Sequence, residues 1–175
     1  NLVKTILKAA YFTDKESIFV VGITPHFPST SYGYLSSEGD LENDEFLRVS
    51  QFIEKPDYKK ASELFEKKGI FWNSGNFIAD PSALLAACSK FVPKVTDAVE
   101  LAFGSFSNSE RVRLVLNEKN FKECPNISFD YAVMERTNKI AMVPVGFVWS
   151  DVGSWDAVAG AHETDTVGNS IVGTD

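Results

Sequence analysis

Asp151 follows an apolar run and shortly precedes Gly153, in Trp149-Ser150-Asp151-Val152-Gly153-Ser154-Trp155. Its carboxylate should therefore project from a tight turn at a strand end. A carboxylate placed there suits Mg2+, which takes one or two carboxylates and completes its shell with phosphate oxygens and water. It equally suits a turn or a helix cap, because Asp before Gly favours turns, and spacing alone leaves both open. Glu54 and Lys55 are adjacent at another strand end, just before Pro56. Proline biases the preceding residue toward extended backbone, so the two side chains are expected to point to opposite sides. One could accept hydrogen bonds from sugar hydroxyls while the other meets a phosphate, or both could be solvated turn charges. Asn73-Ser74-Gly75 interrupts an apolar strand. Gly75 permits close approach of a ligand or another backbone, and Asn73 offers a donor and an acceptor; a bulge explains the same residues. Tyr32-Gly33-Tyr34 reads either as the wall of a pocket or as a strand with a packing gap.

Those clusters need a scaffold, and the pattern supplies one. Leu2, Val3, Ile6, Leu7 and Ala10 recur at helical spacing. Ile18–Ile23 is a continuous apolar run, as in a strand buried on both faces in a parallel sheet. Ser31–Leu35 and Phe46–Ile53 read as strands joined by an acidic turn over Ser36–Glu45. Asp57 caps a helix through Lys68, which Gly69 stops. Ile70–Ile78 is a strand, and Asp80 with Pro81 starts a helix. Ala83–Phe106 holds two helices broken near Pro93, and Val112–Phe121 is ambiguous. Ser128 caps a short helix through Glu135, Ile140–Val148 is a strand, and Ser154 opens a helix reaching about His162. Strands alternating with helices predict an α/β layered fold with a mixed, mostly parallel sheet flanked by helices. In such sheets ligands gather beyond the carboxyl ends of the strands, where the polar clusters fall.

Composition narrows the classes. Of 175 residues, 44% are hydrophobic and 23% charged, which is ordinary for a globular protein and not for a disordered one. The formal net charge of −7 argues against nucleic acid as a partner. No apolar run is long enough to cross a bilayer, so no membrane partner is expected. Cys88 and Cys124 lack metal-ligand spacing and read as reduced thiols of a cytoplasmic protein. His26 and His162 read as surface residues, with no Cys or Ser paired to either.

Taken in order, the clusters resemble the mannose-1-phosphate guanylyltransferase family of nucleotide-sugar pyrophosphorylases. A Gly-Ile-x-Pro strand end followed by Pro-Glu-Thr-Gly-Tyr-Gly-Tyr-Ile is similar to Gly22–Pro25 and Pro28–Leu35. Phe-x-Glu-Lys-Pro-Asp is similar to Phe52–Asp57, and Trp-Asn-Ser-Gly-Met-Phe to Trp72–Phe77. Ser-Ile-Asp-Tyr-Ala-Val-Met-Glu is similar to Ser128–Glu135, and Trp-Ser-Asp-Val-Gly-Ser-Trp stands unchanged at Trp149–Trp155. The sequence departs at Ser29 and Ser31, where Glu and Gly are usual, and at Asn76, where Met is usual.

The resemblance implies a Rossmann-like nucleotidyltransferase fold and a reaction between GTP and mannose 1-phosphate that yields GDP-mannose and pyrophosphate. Tyr32 and Gly33 would line the sugar pocket, Glu54 and Asn73 would bind the sugar, and Lys55 would meet its phosphate. Asp151 would coordinate the catalytic Mg2+. Asp130 would orient the helix it begins without being a ligand. Against the family pattern, the glycine-rich nucleotide loop and a second metal-binding Asp are expected upstream of Asn1, so the fold is expected to be incomplete and the chain alone inactive. Residues 1–164 are then the C-terminal, sugar-phosphate-binding part of the nucleotidyltransferase domain, and 165–175 the start of a connection to a further domain. A missing first unit would leave a sheet edge on which a second copy could pair as a homodimer. Use of UTP or dTTP instead of GTP, or a sugar-nucleotide-binding regulatory module without turnover, are the alternative readings.

Overall fold

The structure, a computed structural model, describes residues 2–39, 45–104, 115–153, 155–160, 162–163, 165–171 and 173. Two compact units divide the chain, the first running to Val145 and the second starting at Gly146. In the first, helix α1 (Leu2–Phe12) leads to β1 (Ile18–Ile23), β2 (Tyr34–Glu38), β3 (Leu47–Ile53), α2 (Tyr58–Phe65) and β4 (Ile70–Ala79). Helices α3 (Pro81–Phe91), α4 (Pro93–Gly104) and α5 (Glu118–Lys122), a π-turn (Asp130–Met134) and β5 (Ile140–Val145) complete it. The second holds α6 (Trp155–Gly160).

The sheet runs in the order β3–β2–β4–β1–β5, with a further antiparallel contact of Leu47 and Arg48 on β3 with Met142 and Ala141 on β5. Both strand senses occur, as expected of a mixed sheet. The expected parallel majority does not: among the described strands, only β1 and β5 pair in parallel, and β1–β4, β2–β4, β2–β3 and β3–β5 are antiparallel. The apolar run of β1 reported burial on both faces, not the direction of its neighbours. All six of its residues are buried. Ile18 and Val20 face a core that includes Leu35, Phe52, Met142 and the π-turn, against which Leu84, Ala87 and Phe91 of α3 pack. Phe19, with Val143 of β5, faces Ala9 of α1. That alternation is the two-residue period of a strand.

Helix starts follow the expected chemistry. Asp57 Oδ1 accepts the Lys60 N–H at 2.8 Å and Asp80 Oδ1 accepts that of Ser82 at 2.8 Å, each filling an orphan donor of a first turn. Helix α2 ends earlier than expected, at Phe65 with Glu66 as its C-cap, and Gly69, at φ +72°, turns the chain into β4 instead of stopping the helix. Helix α1 forms as predicted, but its burial differs: Ala9 is its buried residue, while Leu2, Val3, Leu7 and Tyr11 are exposed. Strand β2 continues to Glu38, into the stretch expected to turn. Residues 40–44 of that stretch, 105–114 and Ser154 lie outside the described residues. The Ser128–Glu135 helix is realised as a π-turn, with the Ser128 carbonyl accepting the Ala132 N–H at 2.9 Å. Both cysteines are free. Among the described residues, no helix is long and apolar enough to cross a membrane.

Candidate functional site

The interruption at Asn73-Ser74-Gly75 is a bulge. Val20 pairs with Phe77 and Gly22 with Asn73, so two steps along β1 match four along β4, and the intervening residues of β4 loop out. Gly75 takes φ +74° there, a left-handed backbone that favours glycine. Its N–H donates to Asn73 Oδ1 at 2.9 Å. Asn73 Nδ2 donates to Asp130 Oδ1 at 3.1 Å, and its backbone N–H donates to the Gly33 carbonyl at 2.8 Å. The residue is only 8% exposed, so its amide is held by protein on both polar atoms.

Gly33 lies between Asn73 and Glu54. A Cβ built on it would stand 2.5 Å from Glu54 Oε2, 3.2 Å from Asn73 Cβ and 3.4 Å from Phe52 Cζ. Glycine is needed there for close approach. The Glu54 side chain is 8% exposed, and its Oε2 is buried without a hydrogen-bond partner. Burial and then the Asp130 charge push the Glu54 carboxyl above its ordinary range; Lys55 pulls it back in part, and Glu135 adds a smaller push.

Glu54 and Lys55 do not extend the strand with opposed side chains, as Pro56 led us to expect. The Glu54 N–H donates to Glu135 Oε1 at 2.8 Å and its carbonyl accepts the Tyr131 hydroxyl at 3.4 Å, so its backbone turns away from a strand partner. Lys55 follows at φ +44°, an uncommon conformation for a side chain-bearing residue, and its ammonium lies 3.4 Å from Glu54 Oε1. Strain of this kind costs on the order of 1–3 kcal/mol and clusters at functional sites. Lys55 remains 57% exposed, a cation at the mouth of a buried carboxylate.

Tyr32 sits edge-on to Trp72, ring centroids 5.0 Å apart, next to Asn73 in sequence. His26 and Phe27 meet the same indole at 4.8 and 4.9 Å. Tyr34 is buried, and its hydroxyl accepts the Ser29 N–H at 2.8 Å and donates to the Ser29 carbonyl at 2.9 Å. The loop carrying Tyr32 and Gly33 is thereby tied down from both ends. Ser29 is itself buried and its Oγ accepts the N–H of the exposed Ser31 at 3.1 Å. His26 and His162 are exposed, as read.

Of the residues singled out from sequence, Gly33, Glu54, Lys55 and Asn73 come together, with Tyr32 bordering them through Trp72. Asp151 belongs to the second unit. It is exposed there in backbone without regular structure, not on a tight turn directly at a strand end as expected, because β5 stops at Val145; Val152 adopts φ +50°, unfavourable for a β-branched residue, and a Cβ on Gly153 would lie 3.0 Å from Asp151 Oδ2. Further along that unit, Asp165 accepts N–H groups of Val167 and Asn169 at 3.0 and 2.8 Å, closing a turn. Among the described residues, no group of three His, Cys, Asp or Glu side chains could hold a metal by itself. Sequence reasoning missed the part played by Asp130, Tyr131 and Glu135. No local pattern announces that part, which depends on contacts with Asn73 and Glu54 far away in the sequence.

The sequence profile of the nucleotidyl transferase family matches residues 3–167. The chain belongs to that family. Within that family it is similar to the alginate biosynthesis protein AlgA of Pseudomonas putida, 36% identical over 173 residues that cover 98% of this chain and 36% of that protein. It is likewise 36% identical over 171 residues to a mannose-1-phosphate guanylyltransferase of Sinorhizobium fredii, covering 97% of this chain and 33% of that one. This family member spans about a third of the length of those curated relatives. A crystal structure described as a mannose-1-phosphate geranyltransferase, from Thermus thermophilus, superposes with a TM-score of 0.74 at 29% identity, over 93% of this chain and 44% of that one. The mixed α/β architecture described above is thus the nucleotidyl transferase fold.

Proposed function

We propose that this chain supplies the sugar-phosphate side of a sugar-1-phosphate nucleotidyltransferase, and that the protein carrying it transfers GMP from GTP to mannose 1-phosphate. An oxygen of the sugar phosphate bonds to the α-phosphorus of GTP, the bond from that phosphorus to the β-phosphate oxygen breaks, and GDP-mannose and pyrophosphate result. The observation that carries this reading is Glu54 Oε2, a buried carboxylate oxygen with no donor in reach, beside Gly33 and Asn73. Leaving such an acceptor unsatisfied is costly, and a sugar hydroxyl is a donor of the right size. The names of the relatives, a mannose-1-phosphate guanylyltransferase among them, support the same substrate pair.

The nucleophile is a phosphate oxygen that is already ionised, so the site needs no general base; it must bring two anions together. Lys55, exposed at the mouth, offsets charge on the sugar phosphate while Glu54 and Asn73 hold the ring. Asp151, an exposed hard-oxygen donor, suits Mg2+ shared with phosphates better than an all-protein cage would, and the ion when bound would lower the charge on those phosphates. Pyrophosphate release by the whole protein tests the proposal. Turnover is expected with GTP and mannose 1-phosphate and is expected to be far slower with UTP or dTTP; equal rates with those would remove the base assignment. No turnover with any nucleotide would favour a regulatory module. Because metal charge stabilisation is worth several kcal/mol, Asp151→Ala should cost more than about tenfold in kcat; activity near wild type would take Asp151 out of the metal site.

A further inference from the structure

Asp130–Met134 and the following Glu135 form the element that touches both proposed sugar ligands. The Glu135 N–H donates to the Asp130 carbonyl at 2.9 Å, closing an i to i+5 turn. Such π-turns are rare and are frequent at functional sites. This one is anchored underneath, because Ala132, Val133 and Met134 are buried in the core cluster with Phe52 of β3 and Phe71 of β4. Its polar residues reach upward: Asp130 to the Asn73 amide, Tyr131 to the Glu54 carbonyl, and Glu135 to the Glu54 N–H. Glu54 is therefore gripped by its backbone and Asn73 by its side chain, from one rigid base.

The Asn73 contacts fix the sense of its amide. A backbone N–H can only donate, so the atom facing Gly75 must be oxygen; an ionised carboxylate can only accept, so the atom facing Asp130 must be nitrogen. Flipping the group would break both bonds. With one N–H and one lone pair spent, a single N–H and a single lone pair are left for a ligand. Beside them Glu54 Oε2 can only accept when ionised. Neighbouring hydroxyls match this set, one donating to Glu54 and the next accepting from Asn73.

We propose that Asp130 is a positioning residue for sugar recognition, holding the Asn73 amide in the one orientation that presents a donor next to the Glu54 acceptor. This rests on the reading that Glu54 and Asn73 take a sugar phosphate, and the test separates the two. The Asn73 carboxamide signals would be followed by 15N NMR in wild type, Asp130→Ala and Asp130→Asn, each titrated with mannose 1-phosphate. In wild type the Asn73 amide protons should be distinct and slow to exchange. Asp130→Ala should move them to free-amide behaviour and weaken mannose 1-phosphate binding about tenfold, the scale of one hydrogen bond to a charged group. Asp130→Asn, whose side-chain oxygen still accepts, should keep both the signals and the affinity. Asp130→Ser, too short to reach the amide, repeats the test if the alanine variant does not fold. Wild-type Asn73 signals or wild-type affinity in the variants that cannot reach the amide would overturn the proposal. Failure of wild type itself to bind mannose 1-phosphate would instead overturn the sugar-phosphate reading, and the Asn73 signals would still decide the role of Asp130.

Discussion

Glu54 at the end of β3 and Asn73 on the bulge of β4 flank the same glycine, yet they are held in opposite ways. Asn73 is fixed through its side chain, both amide atoms bonded to protein. Glu54 is fixed through its backbone, by Glu135 and Tyr131, while one carboxylate oxygen is left idle and buried. The first arrangement stabilises the fold and leaves a little bonding capacity over. The second does the reverse: it keeps an unsatisfied acceptor whose cost falls on the free protein and would be relieved by the proposed sugar hydroxyl. A site assembled from both kinds of residue combines orientation from one with driving force from the other.

The sharpest way to break that comparison is Glu54→Gln. Loss of a charge-assisted acceptor should raise the dissociation constant for mannose 1-phosphate roughly 30-fold, readable by calorimetry. Stability should respond in the opposite sense. Burial and the Asp130 and Glu135 charges raise the Glu54 pKa from its ordinary 4.5, with Lys55 opposing. The folded protein therefore holds the proton more tightly than the unfolded chain. The cost of ionising Glu54 is absent below the ordinary carboxylate range, grows as pH rises through the raised folded value, and is constant above it. Glutamine has no such cost. Denaturant unfolding should show the variant gaining on wild type as pH rises above the ordinary carboxylate range; a difference that does not move with pH would mean that Glu54 is not a penalised buried acid.

Gly33→Ala sharpens the comparison from the space between the two residues. The new methyl would meet Glu54 Oε2 at 2.5 Å and Asn73 Cβ at 3.2 Å. Glu54, with an idle oxygen, can swing aside; Asn73, bonded on both atoms, cannot. Affinity for the sugar phosphate should fall about tenfold, with a stability loss of roughly 1–2 kcal/mol from overpacking. A variant that loses stability but keeps its affinity would show that the carboxylate displaced by the methyl does not hold the sugar.

The contrast also explains what could be read from the chain. Gly33, Glu54, Lys55 and Asn73 were legible because they fall at strand ends or breaks, where a polar residue in an apolar pattern stands out. Caps at Asp57 and Asp80 were legible because their chemistry is local. Strand direction was not: the β1 run records burial on both faces, and a strand between one parallel and one antiparallel neighbour looks the same. The outward apolar face of α1 was hidden for a similar reason, since periodicity finds a stripe without saying which way it turns. Lys55 failed on a long-range cause. Local preference before Pro56 is extended, but Glu135 and Tyr131, far along the sequence, take the Glu54 backbone and turn the chain. Asp130 was expected to orient the helix it begins, and its contact with Asn73 was missed because Asn73 comes from a bulge whose shape no local pattern specifies.

The smallest effect concerns that bulge. Gly75 has φ +74° with nothing within 4 Å of an added Cβ, so a substitution there is resisted by backbone conformation alone. Gly75→Ala should cost about 1 kcal/mol, and Gly75→Asn less, because Asn tolerates the left-handed region. Neither removes the Gly75 N–H that Asn73 accepts, so sugar-phosphate affinity should stay close to wild type in both. If Gly75→Ala instead cut affinity as far as Asp130→Ala, the orientation of Asn73 would come from the shape of the bulge and not from the carboxylate opposite, and the division of labour between the two residues would have to be redrawn around β4.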